Sequence, residues 1–348
     1  MVSERGECGY QWAVTPRFWF AASHEEFPPS TLLEQAVAAE RAGFEAIACS
    51  DHFAPWFPDG QSGNALVWLG AVGQVSSLPL GTSVTPVLHR YHPGVIAQAF
   101  MTLEEMYPGR AFLGAGSGES LNETPLGLRW PEPAEMLARF DRGLEAIRRL
   151  WDGETVTMDG GWFQLRQAKL YTRARSRPKL YVSAFGPQAA RIAARHGDGL
   201  WTLADPEKAP LVIEAYSSAC SEYGREPGEI IMQTGIAWAE SEQEVVAGAR
   251  RWKPTQLPEL YREDIHDPAE MQRLADERLT DEQFAREGFL VSSDVEEHVR
   301  RLRQTAELGA SVICTQLIGQ ADPMGTIRVY GERVLPALRG SRSVQTAG

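Results

Sequence analysis

Lysine is nearly absent from this chain. Of its 34 basic residues only Lys169, Lys179, Lys208 and Lys253 are lysine, and the rest are arginine. A GC-rich genome accounts for that skew without any arginine-specific function. Positive charge is short overall: 46 acidic residues leave a net charge of −12. That balance argues against a nucleic-acid partner, which needs a basic face to neutralise phosphates. No apolar run approaches the ~20 residues that span a bilayer, so no membrane association is expected. The first sixteen residues lack the apolar core of a signal peptide. Cysteine is scarce too. Cys8, Cys49, Cys220 and Cys314 lie far apart with neither metal-ligand nor redox spacing. They read as free thiols of a reducing, cytoplasmic compartment. The seven histidines form no HxH or HxxxH pair, so no metal site is expected.

What the sequence does have is alternation. Short apolar runs rich in β-formers recur at Phe18–Ala22, Ala46–Cys49, Leu80–Val84, Ala111–Ala115, Leu180–Ala184, Gly199–Thr202, Ile230–Ile236 and Val312–Leu317. Nearly continuous apolar runs are the signature of strands buried on both faces. Helical periodicity fills the gaps. Ser30 is the expected N-cap of the first helix and Gly43 its stop. Helices are also expected over His92–Met106, Pro131–Trp151, Pro187–His196, Ser241–Arg251 and Asp294–Leu308. Eight such units predict an α/β fold, a (β/α)8 TIM barrel with insertions. The domain reading is an N-terminal extension at 1–16, one barrel over 17–339 and a flexible tail at 340–348. Two stretches interrupt the repeat. Residues 152–171 alternate around Gly160-Gly161, a hairpin signal, and residues 252–288 are long, polar and partly helical.

In such a barrel, chemistry sits at the C-terminal ends of the strands. After the second strand comes Ser50-Asp51-His52-Phe53-Ala54-Pro55-Trp56. A histidine there can take a proton near neutral pH. Asp51 and His52 are neighbours on an extended segment, so they point opposite ways. His89, Tyr91 and His92 follow the third strand, where they either line a pocket or cap the next helix. The fourth strand runs into Gly114-Ala115-Gly116-Ser117-Gly118-Glu119. These glycines differ from a dinucleotide fingerprint, which follows the first strand. Glu119 brings a carboxylate to the same mouth. Ala184-Phe185-Gly186-Pro187 follows the fifth strand, and a Gly-Pro helix start exposes N–H groups to an anion.

These motifs together resemble the luciferase-like monooxygenase superfamily, in its branch that uses the deazaflavin coenzyme F420. The subgroup is the one typified by F420-dependent glucose-6-phosphate dehydrogenase. The similarity runs over SDHFAPW at Ser50–Trp56, GTSVTP at Gly81–Pro86, HPGVIAQAF at His92–Phe100, FLGAGSGESLNE at Phe112–Glu123 and the GDG turn at Gly197–Gly199. It implies coenzyme F420 lying across the strand ends, a small-molecule substrate and a homodimer. It further implies His52 as the base toward the substrate hydroxyl. Trp56 and Glu119 would steady the charged intermediate and the ring. The coenzyme would lie among Asp51, Ser83, Val84, Thr85, Ser117, Gly118, Glu119, Asn122, Ala184, Phe185 and Gly186, with a non-proline cis peptide at Ser83-Val84. The subgroup holds a substrate phosphate with three basic residues. Here the first position is Pro206 with Lys208 two residues on, the second is Arg262, and the third falls near Gly288 with Arg286 close by. Lys208, Arg262 and Arg286 are therefore the candidate substrate-binding residues. The implied activity is hydride transfer between C5 of the deazaflavin and an alcohol or sugar. Alternatives are a reductase of a C=C or C=N bond using reduced F420, an FMN-dependent monooxygenase, and a non-catalytic flavin-binding barrel.

Overall fold

The eight apolar runs become the strands of a closed parallel barrel. The computed structural model describes residues 15–319 and 321–340. The expected N-terminal extension up to residue 14, with Cys8, and the tail from residue 341 lie outside the described residues. The strands are β1 Arg17–Ala22, β2 Ile47–Cys49, β3 Leu80–Thr82, β4 Ala111–Gly116, β5 Lys179–Ser183, β6 Gly199–Leu203, β7 Glu229–Ala237 and β8 Val312–Leu317. Each pairs in parallel with the next, and β8 returns to β1 with Phe18 opposite Ile313. The ring thus has no free edge between its strands. Two short segments, Thr85–Pro86 beside β4 and Leu290–Val291 beside β7, extend it.

The barrel interior is filled, not hollow. Trp19, Phe112, Tyr181, Trp201, Ile231, Val312 and Cys314 form one buried cluster there. The Trp19 and Phe112 rings lie 4.9 Å apart. Toward the strand C-termini the plug turns polar. The Trp201 Nε1–H donates to Gln233 Oε1 at 2.9 Å, and Gln233 Nε2 donates to Gln316 Oε1 at 2.8 Å. That change prepares a polar floor for a site at the C-terminal mouth.

Outside, helices cover the strands and shed their apolar faces onto one continuous core. Their ends follow local chemistry. His92 caps helix Pro93–Met106, its Nδ1 accepting the Gly94 N–H at 3.1 Å. Asp294 and Ser241 cap helices Val295–Glu307 and Glu242–Ala249 with their side chains. The first helix departs from expectation. It spans Pro29–Arg41, Pro28 precedes it, and Ser30 lies inside the first turn and makes no capping bond. Proline's fixed φ starts this helix instead of a hydroxyl. No helix among the described residues is long and apolar enough to cross a membrane.

The two insertions build different structures. Val156–Asp159 and Gln164–Ala168 form an antiparallel hairpin. Trp162 Nε1 donates to Arg139 O at 3.2 Å, and the Trp162 and Phe163 rings pack on His89 and His92 after β3. Residues 250–287 fold into two 3-10 turns and the helices Pro268–Arg278 and Asp281–Glu287. They build a second apolar core from Trp252, Leu257, Leu260, Met271 and Phe284 together with Trp56 and Phe57. This layer sits over the strand ends. Ser120 Oγ donates to Ile265 O at 2.9 Å, and Trp252 Nε1 donates to the buried Glu26 carboxylate behind β1.

Candidate active site

Three strand ends meet at His52. Its Nε2 lies 3.3 Å from Glu25 Oε1, from the end of β1, and 3.5 Å from Glu119 Oε2, from the end of β4. Glu25 is 1% exposed. It accepts a hydrogen bond from Ser50 Oγ, and Ser50 in turn accepts the His24 N–H at 2.9 Å. Burial dominates the protonation of all three groups. It pushes the Glu25 carboxyl up to about 7, against the Ser50 hydrogen bond. It raises Glu119, with the neighbouring imidazole pulling the other way. It lowers His52, with Glu119 opposing. The cluster therefore holds a proton near neutral pH that separate carboxylates would have lost.

Asn122 fixes this arrangement. Its Oδ1 accepts the N–H groups of Phe53 at 2.7 Å and Ala54 at 3.3 Å, which pins the loop carrying His52. Its Nδ2 donates to Glu119 Oε2 at 3.1 Å and lies 3.3 Å from His52 Nδ1. One amide thus orients both the imidazole and the acid. Trp56 is buried, its ring 5.7 Å from His52 and 5.6 Å from Tyr261 of the upper insertion.

Asp51 points away from His52, as the alternation of an extended segment requires. Thr85 Oγ1 donates to its Oδ2 at 2.7 Å, while Tyr91 OH and Arg90 reach Oδ1 at 3.3 and 3.1 Å. Arg90 also donates to the Asp51 carbonyl at 2.6 Å. Its backbone N–H donates to Glu123 at 2.7 Å, and burial raises that carboxyl to about 7 despite the guanidinium. Of the three polar aromatics after β3, Tyr91 joins this network. His92 is a helix cap and His89 packs on Trp162.

The opposite wall is shaped for close approach. The Ser83-Val84 peptide is cis, as the resemblance implies. Gly116 makes room for Val84: a Cβ there would lie 2.4 Å from Val84 Cγ2. Gly118 has φ 89°, which favours glycine. Ser83 Oγ is buried with no hydrogen-bond partner. Ala184, Phe185 and Gly186 precede helix Pro187–His196, and a Cβ on Gly186 would meet no atom within 4 Å. That helix start is open to a ligand.

The remaining expected residues are dispersed. Lys208 pairs with Asp205 at 3.1 Å and Arg286 with Glu287 at 2.5 Å, all largely exposed save Asp205. Arg262 is exposed on the upper insertion, and its carbonyl accepts Trp130 Nε1–H at 3.4 Å. Glu25 and Tyr261 are absent from the sequence-based candidates. A signal for Glu25 exists: two acids, Glu25-Glu26, stand three and four residues beyond the end of an apolar strand. Tyr261 had none, because it stands in a long polar insertion.

The family model described as luciferase-like monooxygenase matches residues 10–311. A protein of Nakamurella multipartita named F420-dependent glucose-6-phosphate dehydrogenase is 41% identical over 332 residues, covering 93% of this chain and 96% of its own. A protein of the same name from Microbacterium testaceum is 39% identical over 330 residues, covering 93% and 97%. Among solved structures, an F420-dependent secondary alcohol dehydrogenase bound to an F420-acetone adduct superposes with a TM-score of 0.88. It is 30% identical, and the match covers 94% of this chain and 100% of that one.

Proposed function

The chain belongs to the luciferase-like monooxygenase family, and on that premise we propose that it is an F420-dependent oxidoreductase acting on an alcohol. The observation that carries the chemistry is one imidazole nitrogen flanked by two buried carboxyl groups at the barrel mouth. The residues present fit the coenzyme. The unpartnered Ser83 Oγ and the Val84 side chain would back a flat ring. Thr85, next to the cis peptide, braces Asp51. Ser117, Gly118 and the open helix start at Ala184, Phe185 and Gly186 would receive a phosphate, since a helix N-terminus presents unpaired N–H groups to an anion. When bound, the deazaflavin supplies a two-electron acceptor at its C5.

The side chains handle the proton. An alcohol carbon that loses hydride must shed its hydroxyl proton to become a carbonyl. His52 Nε2 takes that proton. Glu25, on the buried side of the imidazole, stabilises the imidazolium that forms, and its raised affinity for protons lets it accept one in turn. Glu119 is the more open of the two acids and steadies charge on the reacting side. Asn122 keeps His52 and Glu119 in register. Trp56, clamped by the upper insertion, closes the site against water. Run backward, the same groups deliver the proton to a carbonyl oxygen.

The test is coenzyme binding by tryptophan quenching, comparing F420 with FMN. Saturable quenching by F420 without quenching by FMN is expected. Tight FMN binding with no response to F420 would overturn the reading.

A further inference from the structure

We propose that the substrate is an uncharged alcohol with an apolar body, not a phosphate ester. This rests on the reading of His52 as the base in the same site. Two observations carry it. The first is a continuous aromatic wall leading outward from the base. Ring centroids step from His52 to Trp56 at 5.7 Å, to Tyr261 at 5.6 Å and to Phe185 at 6.5 Å. Phe185 is 49% exposed, and Leu203 at the next strand end is 38% exposed. Large apolar side chains left open at a pocket mouth gain from covering by an apolar ligand.

The second observation is the charge around that wall. Glu25 and Glu119 flank the reacting nitrogen. The Arg90 guanidinium faces Asp51 at 3.1 Å and Glu123 at 3.9 Å. Lys208 and Arg286 are held in surface pairs with Asp205 and Glu287. Arg262 adjoins the wall but is exposed within a run that also carries Glu259, Glu263 and Asp264. A dianion needs several convergent, charge-assisted donors. Here the reacting nitrogen is flanked by two acidic side chains, and among the described residues no such set of donors converges on it. In the balanced step the carbinol C–H bond breaks, its hydride goes to the deazaflavin, the O–H proton goes to His52, and a neutral ketone leaves.

The test uses the full chain with F420, following coenzyme reduction with cyclopentanol, cyclohexanol, glucose and glucose 6-phosphate. The cyclic alcohols should exceed glucose 6-phosphate at least tenfold in kcat/KM. Each added methylene should contribute roughly fourfold. Inorganic phosphate should not compete. Tyr261→Phe should keep KM for cyclohexanol within about twofold, whereas Tyr261→Ala should raise it about tenfold with kcat and F420 affinity preserved. A preference for glucose 6-phosphate, or competition by phosphate, overturns the proposal. So does tight F420 binding with no turnover of any uncharged alcohol, and so does loss of wall dependence in both variants. Failure to bind F420 at all would instead remove the coenzyme reading beneath it.

Discussion

Replacing Glu25 by glutamine should stabilise the protein at high pH while impairing its chemistry. The carboxyl is buried, and its pKa is raised from 4.5 to about 7. A group whose folded value is raised stabilises the fold below its unfolded value and loses that contribution as pH climbs through the folded one. Between about pH 4.5 and pH 7 the unfolded chain gives up this proton while the folded chain keeps it. At 1.36 kcal/mol per pH unit, the wild type therefore loses about 3 kcal/mol over that window. Glutamine keeps the hydrogen-bonding shape toward Ser50 and His52 but never ionises. The variant should match the wild type near pH 5 and exceed it by about 3 kcal/mol at pH 8. With an unfolding entropy of about 2.1 cal/mol/K per residue, a chain of this length gains about 4 °C in Tm. Glu123, also raised to about 7, titrates in both proteins and cancels. Thermal melts of both proteins at pH 5 and pH 8 give the result directly. A Tm difference that is the same at both pH values would refute the reasoning, because Glu25 would then be ionised throughout.

Two further variants separate chemistry from binding. His52→Ala should lower kcat by roughly 10²–10⁴, with F420 affinity within about threefold in a quenching titration; equal losses in both would contradict the base assignment. Gly116→Ala places a Cβ 2.4 Å from Val84 Cγ2, so it should cost about 1–3 kcal/mol of stability and weaken F420 binding by about tenfold. Unchanged coenzyme affinity in that variant would mean that Val84 does not shape the ring's seat.

Much of the scaffold was legible in the residues, and for a local reason. A strand covered on both faces must be apolar nearly throughout, so FWFAA in β1 and VICTQL in β8 announce themselves. Caps are also local: Asp294 and Ser241 act within three residues. Ser30 misleads because Pro28 and Pro29 already set the backbone that a capping hydroxyl would otherwise stabilise. His52, Glu119 and Trp56 are legible because they stand just beyond apolar strands, within motifs that resemble a known family.

Their partnership was not legible. Glu25 and His52 are 27 positions apart, and Glu119 lies 67 positions further on; only closure of the ring brings their strand ends around one nitrogen. Periodicity reports which face of an element is buried, not which ends converge. Tyr261 illustrates the same limit. Its insertion reads as polar and irregular, yet folding over the mouth sets its ring between Trp56 and Phe185. Nor could composition say that Lys208 and Arg286 would be taken up by neighbouring acids. The alternation of apolar runs and helices was enough to dictate the barrel and the end that carries the site. The protonation of the cluster, the aromatic wall and the charge a ligand meets were decided by tertiary packing, because burial and proximity exist only once the chain has closed on itself.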